Sequence, residues 1–248
     1  KNPKARPKAM KTVLSISLWG CLGLSMASHA APKPYTLAFA ANPPFSMTDN
    51  GRPQGIAINI ISVLFEQARI PYQLVEVPLI RAMLNAKTTA NYCAFPVQRA
   101  QSIEADYQWI SPILMTRSGL FARPDFQGQL LTLVDAKKMK VGVLRGSGDA
   151  DYLKSFGFTV EEANTQAQNI DKLLANRFDL WATDVLSANF FIQKRGKAAA
   201  KEVLTFRATL SSLACQVDMD KGDLATLQET LDRMIKEGVL QKLTATVQ

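Results

Sequence analysis

The feature that most restricts this chain is an order of segments that occurs twice: strand, helix, strand, helix, strand, repeated before a helical end. Residues 35–40, YTLAFA, alternate as a half-buried strand does. Asn42-Pro43-Pro44 breaks that strand, and Asn50-Gly51 marks a tight turn. Residues 56–69 carry Ile60, Ile61, Val63, Leu64 and Ala68 near one helical face. Tyr72 to Val77 reads as a strand, and Pro78 opens a helix, since a first turn has no use for its missing N–H. Strands follow at Asn91 to Val97 and, briefly, at Gly119 to Ala122.

The order begins again after Leu131. Lys140 to Leu144 is a strand and Gly146-Ser147-Gly148 a turn. A helix opens near Asp149, with Asp151 in its first turn, where acids suit the positive end of the helix dipole. Phe158 to Val160 is a strand. Gln168 to Ala175 is a helix with Ile170, Leu173 and Leu174 inward. Leu180 to Thr183, a helix from Ala188 to Gln193 and a strand from Leu213 to Val217 complete the second round. Helical stretches at 223–236 and 239–246 close the chain, separated by Gly238. Two βαβαβ rounds predict an α/β protein with two lobes, each a mostly parallel sheet flanked by helices. Ligands of such sheets sit beyond the carboxyl ends of strands, near helix N-termini, which points to Asn42–Ser46 and Gly146–Asp149.

Charge narrows the function classes. The formal net charge of +8 is concentrated at the start, because residues 1–30 hold Lys1, Lys4, Arg6, Lys8 and Lys11 and no acid. An apolar run from Thr12 to Ala27 follows, and then Ser28, His29 and Ala30. A basic flank, a short apolar core and a small-x-small site predict a secretory signal over 1–30 and a periplasmic destination. The run is shorter than the roughly 20 residues of a membrane span. Without 1–30, Lys plus Arg falls from 29 to 24 against 21 acids, about +3. No basic stripe for nucleic acid remains.

His29, the one histidine, leaves with that segment, which excludes Ser/His and Cys/His catalytic pairs and His-ligated zinc. Cys93 and Cys215 remain, as either one disulfide or two buried thiols. Cys21 follows Leu18-Trp19-Gly20, loosely like a lipid-attachment box that Trp19 fits badly. Neither a metal nor a cofactor is expected.

Three segments carry a resemblance. They are NPPFSMTDNGRPQGIAINIISVL, then YQWISPIL, and then VGVLRGSGDADYL with LLANRFDLWATD. Together with the terminal LDRMIKEGVLQKL they resemble the bacterial extracellular solute-binding proteins of family 3, over about residues 34–246. No one motif is very specific; their order and spacing are. The resemblance implies a type II periplasmic-binding fold: lobe 1 from 31–122 plus 210–248, lobe 2 inserted as 123–209, and hinge strands at 118–124 and 209–216. It further implies a non-enzymatic monomer that closes on a small polar solute and hands it to an ABC-type permease. Rival readings are a dehydratase-type enzyme on the same fold and a ligand-loaded sensor partner.

By that resemblance, Asp184 meets a ligand ammonium group or, failing that, caps the next helix. Gly146 and Ser147 meet a carboxylate or form a plain turn. Phe45 covers an apolar ligand body or belongs to the core, and Asn42 lies beside it in the same loop. The position of the family's carboxylate-clamping arginine is Ile103 here, which cannot replace a guanidinium. Arg99 and Arg81 are the substitutes available, with Gln98 lining the cleft, unless both arginines are surface charges. Trp109 is a cleft platform or a packing residue; the same choice holds for Trp181.

Overall fold

The computed structural model describes residues 1–2, 33–196 and 199–245. The expected signal at 1–30, with Cys21 and His29, lies outside the described residues beyond its first two positions. Residues 33–196 and 199–245 belong to one compact unit. It runs β1 (Tyr35–Phe39), β2 (Met47–Asp49), β3 (Arg52–Gln54), α1 (Ile56–Ala68), β4 (Tyr72–Glu76), α2 (Leu79–Thr88) and β5 (Tyr92–Gln98). A 3₁₀ turn over Gln101–Asp106 leads to β6 (Gln108–Ala122). After a second 3₁₀ turn, Leu133–Ala136, come β7 (Val141–Leu144), α3 (Gly148–Ser155), β8 (Val160–Ala163), α4 (Gln166–Leu174), β9 (Leu180–Asp184) and α5 (Val185–Lys194). The long strand β10 (Lys201–Cys215) returns the chain to α6 (Lys221–Lys236) and α7 (Val239–Ala245).

The strands form one eight-stranded sheet in the order β4-β1-β5-β10-β6-β9-β7-β8, beside the small β2–β3 hairpin. Its two ends are parallel triplets, β4-β1-β5 and β9-β7-β8. Each triplet is the sheet of one lobe. The antiparallel pair β10–β6 joins them, its register slipping near Glu202/Leu204, Thr205/Arg207 and Ser211/Leu213. Such irregularities bend and twist a ribbon, which lets one sheet serve two lobes.

Alternation along the strands puts helices on both faces. In the first lobe, Tyr35, Leu37 and Phe39 of β1 pack into one core with α1 and α6, while Ala38 points the other way, against Ala82 and Ala86 of α2. In the second, Leu180 and Ala182 of β9 pack with α3, while Trp181 faces α4 and α5. Trp181 is fully buried, with its indole N–H donating to Gln166 Oε1 at 2.9 Å, so it is a packing residue.

Local signals explain the element ends. Asn50 and Gly51 both take positive φ, as a two-residue hairpin turn demands. Gly55 precedes α1 at φ 129°, where a Cβ would lie 2.4 Å from the Phe45 carbonyl oxygen. Ser147, Thr165, Asp184 and Asp220 cap α3, α4, α5 and α6 by accepting backbone N–H groups.

Several expectations change. The short strand expected at 119–122 is the end of the 15-residue strand β6, and that expected at 213–217 overlaps the end of the 15-residue strand β10, which stops at Cys215. Their other halves hide behind polar residues that pair with each other, as Thr116 does with Thr209 at 2.7 Å between hydroxyl oxygens. The strand expected at 158–160 lies at 160–163, because Phe158 turns into the core ahead of it. Leu174 is exposed rather than inward, since α4 ends there and Ala175 caps it. The expected hinge stretches fall on β6 and β10.

Cys93 and Cys215 face each other across β5 and β10 and form a disulfide, with Cα atoms 4.0 Å apart. It ties the last residue of β10 to β5, its neighbour in the first lobe's triplet, so the open choice between bond and thiols resolves to a bond.

Candidate functional site

The loop after β1, helix α2 and the end of β5 face the N-terminus of α3 and the end of β9 across a cavity of about 280 Å³. First-lobe walls include Asn42, Phe45, Ile80, Met83, Val97 and Gln98; second-lobe walls include Gly146, Ser147, Gly148, Asp151 and Asp184. Leu114, Thr116 and Ser211 of the long strands form part of the floor. Strand ends and helix N-termini converge there because a parallel sheet sends every following helix out from the same edge.

Asp184 is 7% exposed. Its Oδ1 accepts the backbone N–H of Leu186 at 2.8 Å and of Ser187 at 3.4 Å, capping α5. Its Oδ2 is buried with no hydrogen-bond partner. Burial pushes the carboxyl up to about 6; the neighbouring Thr116 hydroxyl and the two backbone N–H groups oppose that rise, and the charge of Asp149 adds to it. The two readings of Asp184 are therefore compatible: one oxygen caps, and the other is left over.

Ser147 caps α3, accepting from the Ala150 N–H at 3.2 Å, and Gly146 sits before it at φ 70°. Asn42 Oδ1 and the Pro43 carbonyl oxygen lie 2.9 and 2.6 Å from the Ser187 hydroxyl, which donates to them across the gap between lobes. Phe45 is buried in the first-lobe core and also lines the cavity. Gln98 lines it too, and its Oε1 accepts from Arg207 Nη2 at 2.7 Å.

Arg81, Arg99 and Trp109 do not line the cavity. Arg81 is exposed on α2. Arg99 donates to Glu104 through Nε at 2.8 Å and through Nη2, and those hydrogen bonds hold the Glu104 carboxyl below its ordinary range. Trp109 packs edge-on against Tyr107 at 5.5 Å and donates its indole N–H to the Glu104 carbonyl oxygen at 3.0 Å. Ile103 does line the cavity, where it presents an apolar surface.

Sequence reasoning missed the polar knot beside the cavity. Arg207 of β10 donates to Asp149 Oδ1 through Nη2 at 2.7 Å and Nε at 3.2 Å, and its Cζ stands 4.5 Å over the Tyr152 ring. Ser118 Oγ donates to the same Asp149 oxygen at 2.8 Å. Asp149 was legible as a first-turn acid; Arg207 carried no signal, because its strand was not recognised. Among the described residues, no group of three or more His, Cys, Asp or Glu is placed to hold a metal ion, and no helix is long and apolar enough to cross a membrane.

No family model matches the chain, and no curated protein matches it. Solved structures do. The chain is similar to a histidine kinase sensor domain related to periplasmic binding proteins, at TM-score 0.80 and 18% identity, covering 87% of this chain and 96% of that one. It is similar to the arginine-, lysine- and histidine-binding protein ArtJ of Geobacillus stearothermophilus, at TM-score 0.77 and 15% identity, covering 87% and 95%. It is also similar to an ancestral amino acid-binding protein, a precursor of cyclohexadienyl dehydratase, at TM-score 0.75 and 18% identity, covering 86% and 95%. With the topology above, these likenesses give the chain the two-lobed type II periplasmic-binding fold.

Proposed function

We propose that this is an extracytoplasmic solute-binding protein of the family 3 type, acting as a monomer without catalysis. It holds a small polar solute, an amino acid or similar, between its lobes and delivers it to an ABC-type permease. The observation that carries the reading is Asp184: a buried carboxylate on the wall of an interlobe cavity, with one oxygen lacking a partner. Such an oxygen is costly to bury alone and is repaid by a charged donor from a ligand. Asn42, Phe45, Gln98, Gly146 and Ser147 complete the proposed site. The proposed lobe boundaries are 31–122 with 210–248 and 123–209; Leu120, Phe121 and Ala122, at the end of the first span, pack into the cores of the second lobe. Export through the signal at 1–30 gives the periplasmic location.

A thermal-shift screen of amino acids, amines and small carboxylates tests this, because a ligand that binds only the folded state raises the melting temperature. The expected hit loses most of its shift in Asp184→Ala; an unchanged shift removes Asp184 from the site. A sensor role is the second reading, favoured by the likeness to a histidine kinase sensor domain. Pull-down of a receptor rather than a permease by the loaded protein would select it. The likeness to a dehydratase precursor keeps one enzymatic check worthwhile: turnover of a prephenate-like acid would overturn the non-catalytic reading.

A further inference from the structure

The charges on the cavity wall are of one sign. Asp184 and Asp151 line it, and among the described residues no Lys, Arg or His does. The cationic side chains close to its walls are engaged elsewhere: Arg99 with Glu104, Arg207 with Asp149 and Gln98, and Arg145 with Glu162. Arg81 is exposed on α2 and outside the lining. Asp149 pairs with Arg207 and is not part of the wall, although its charge still bears on Asp184.

The remaining wall is largely apolar, with Phe45, Ile80, Met83, Val97, Ile103 and Leu114. The N-terminus of α3 is the one place for an anion, but Asp151 stands in its first turn and the Ser147 hydroxyl oxygen already accepts from Ala150. A carboxylate entering here would lose its water beside two like charges and meet no side-chain cation on the wall. An ammonium group meets the opposite situation, because the unpartnered Asp184 Oδ2 is the acceptor it needs. The cavity volume lies near the lower end of the roughly 300–1,000 Å³ usual for ligand clefts, which favours a small molecule.

Resting on the solute-binding reading, we propose that the cleft selects a small primary amine with an apolar body and no carboxylate, in preference to the amino acid with the same side chain. Asp184 accepts the ammonium, the exposed Asp151 draws the cation in, and the apolar wall covers the body.

Isothermal titration with matched pairs tests the selection: 2-phenylethylamine against phenylalanine, and isoamylamine against leucine. Each pair differs by the α-carboxylate alone. The amine should bind at least tenfold more tightly in a pair that binds. Asp184→Asn, which keeps a capping oxygen for α5, should abolish amine binding. Ile103→Arg, at a half-buried lining position, should shift preference toward the amino acid. Equal or tighter binding of the amino acids overturns this inference and leaves the solute-binding reading standing. If no amine, amino acid or carboxylate in the wider screen binds, both fall. A folded Ile103→Arg protein with unchanged preference overturns the charge argument.

Discussion

Arg207 on β10 and Asp149 on α3 form the most buried ion pair among the described residues, with Nη2 and Oδ1 2.7 Å apart and side-chain exposures of 21% and 6%. The same Nη2 reaches Gln98 at the end of β5. One guanidinium thus joins the long connecting strand, the first lobe and the second.

Removing that guanidinium leaves Asp149 buried with only Ser118 beside it. Arg207→Ala should lower unfolding stability by about 3 kcal/mol, the usual scale for breaking one side of a buried pair. Urea denaturation measures it, and a loss below about 1 kcal/mol would show that water replaces the arginine. Arg207→Lys should recover only part, because an ammonium cannot reach both partners as the planar fork does.

Asp184 should set a pH dependence of its own. Its folded carboxyl titrates near 6, above its ordinary 3.8. The folded state therefore binds the proton more tightly than the unfolded one. The resulting destabilisation is complete above about pH 6 and is relieved as pH falls through 6 toward 3.8. It amounts to about 3 kcal/mol at most. Asp184→Asn removes it while keeping the cap, so the ligand-free variant should be more stable than the parent at pH 8 and not at pH 4. Denaturation across pH 4–8 gives the difference curve; a flat one would contradict the shift. Binding of a cationic solute should weaken below about pH 6 as the carboxylate is lost.

The Cys93–Cys215 bond closes a loop spanning 122 positions, which includes the whole second lobe. Chain-entropy reasoning assigns such a loop about 5 kcal/mol, or about 15 °C in melting temperature for a chain of this size. Calorimetry of the Cys93→Ala/Cys215→Ala protein should show that drop. Solute affinity should change little, because both cysteines lie in the first-lobe core and not on the cavity wall.

Gly148 faces Gln98 closely across the cleft: a Cβ on Gly148 would lie 2.4 Å from Gln98 Oε1 and 2.8 Å from its Cβ. Gln98 is held by Arg207, so it yields poorly. Gly148→Ala should prop the lobes apart and weaken solute binding about tenfold, or about 1.4 kcal/mol. Unfolding stability should hold, since alanine suits the first turn of α3. Titration and denaturation together separate the two effects.

Much of the architecture was legible because it rests on local rules. Alternation gave β1 and β4, the apolar face of 56–69 gave α1, and Asn50-Gly51 gave the hairpin turn. The candidate site was legible in part. Asp184, Gly146 and Ser147 sit at a strand end or a strand-to-helix turn, where this fold class collects ligands. The full lengths of β6 and β10 were hidden, since Thr116, Ser118, Thr209 and Ser211 read as surface residues until a neighbouring strand covers them. Arg99 looked like a free cation because nothing local announces that Glu104 folds back onto it.

The sequence by itself determined the periods, caps and turns, since each depends on residues within a few positions of one another. Only the tertiary structure decided which charges meet. Asp149 and Arg207 are 58 residues apart, and Asn42 and Ser187 are 145 apart. Electrostatic pairing acts over a few ångströms of space, and such distances exist only after the sheet has brought the strands together. That is why the sign of the cavity wall emerges from packing rather than from the order of residues.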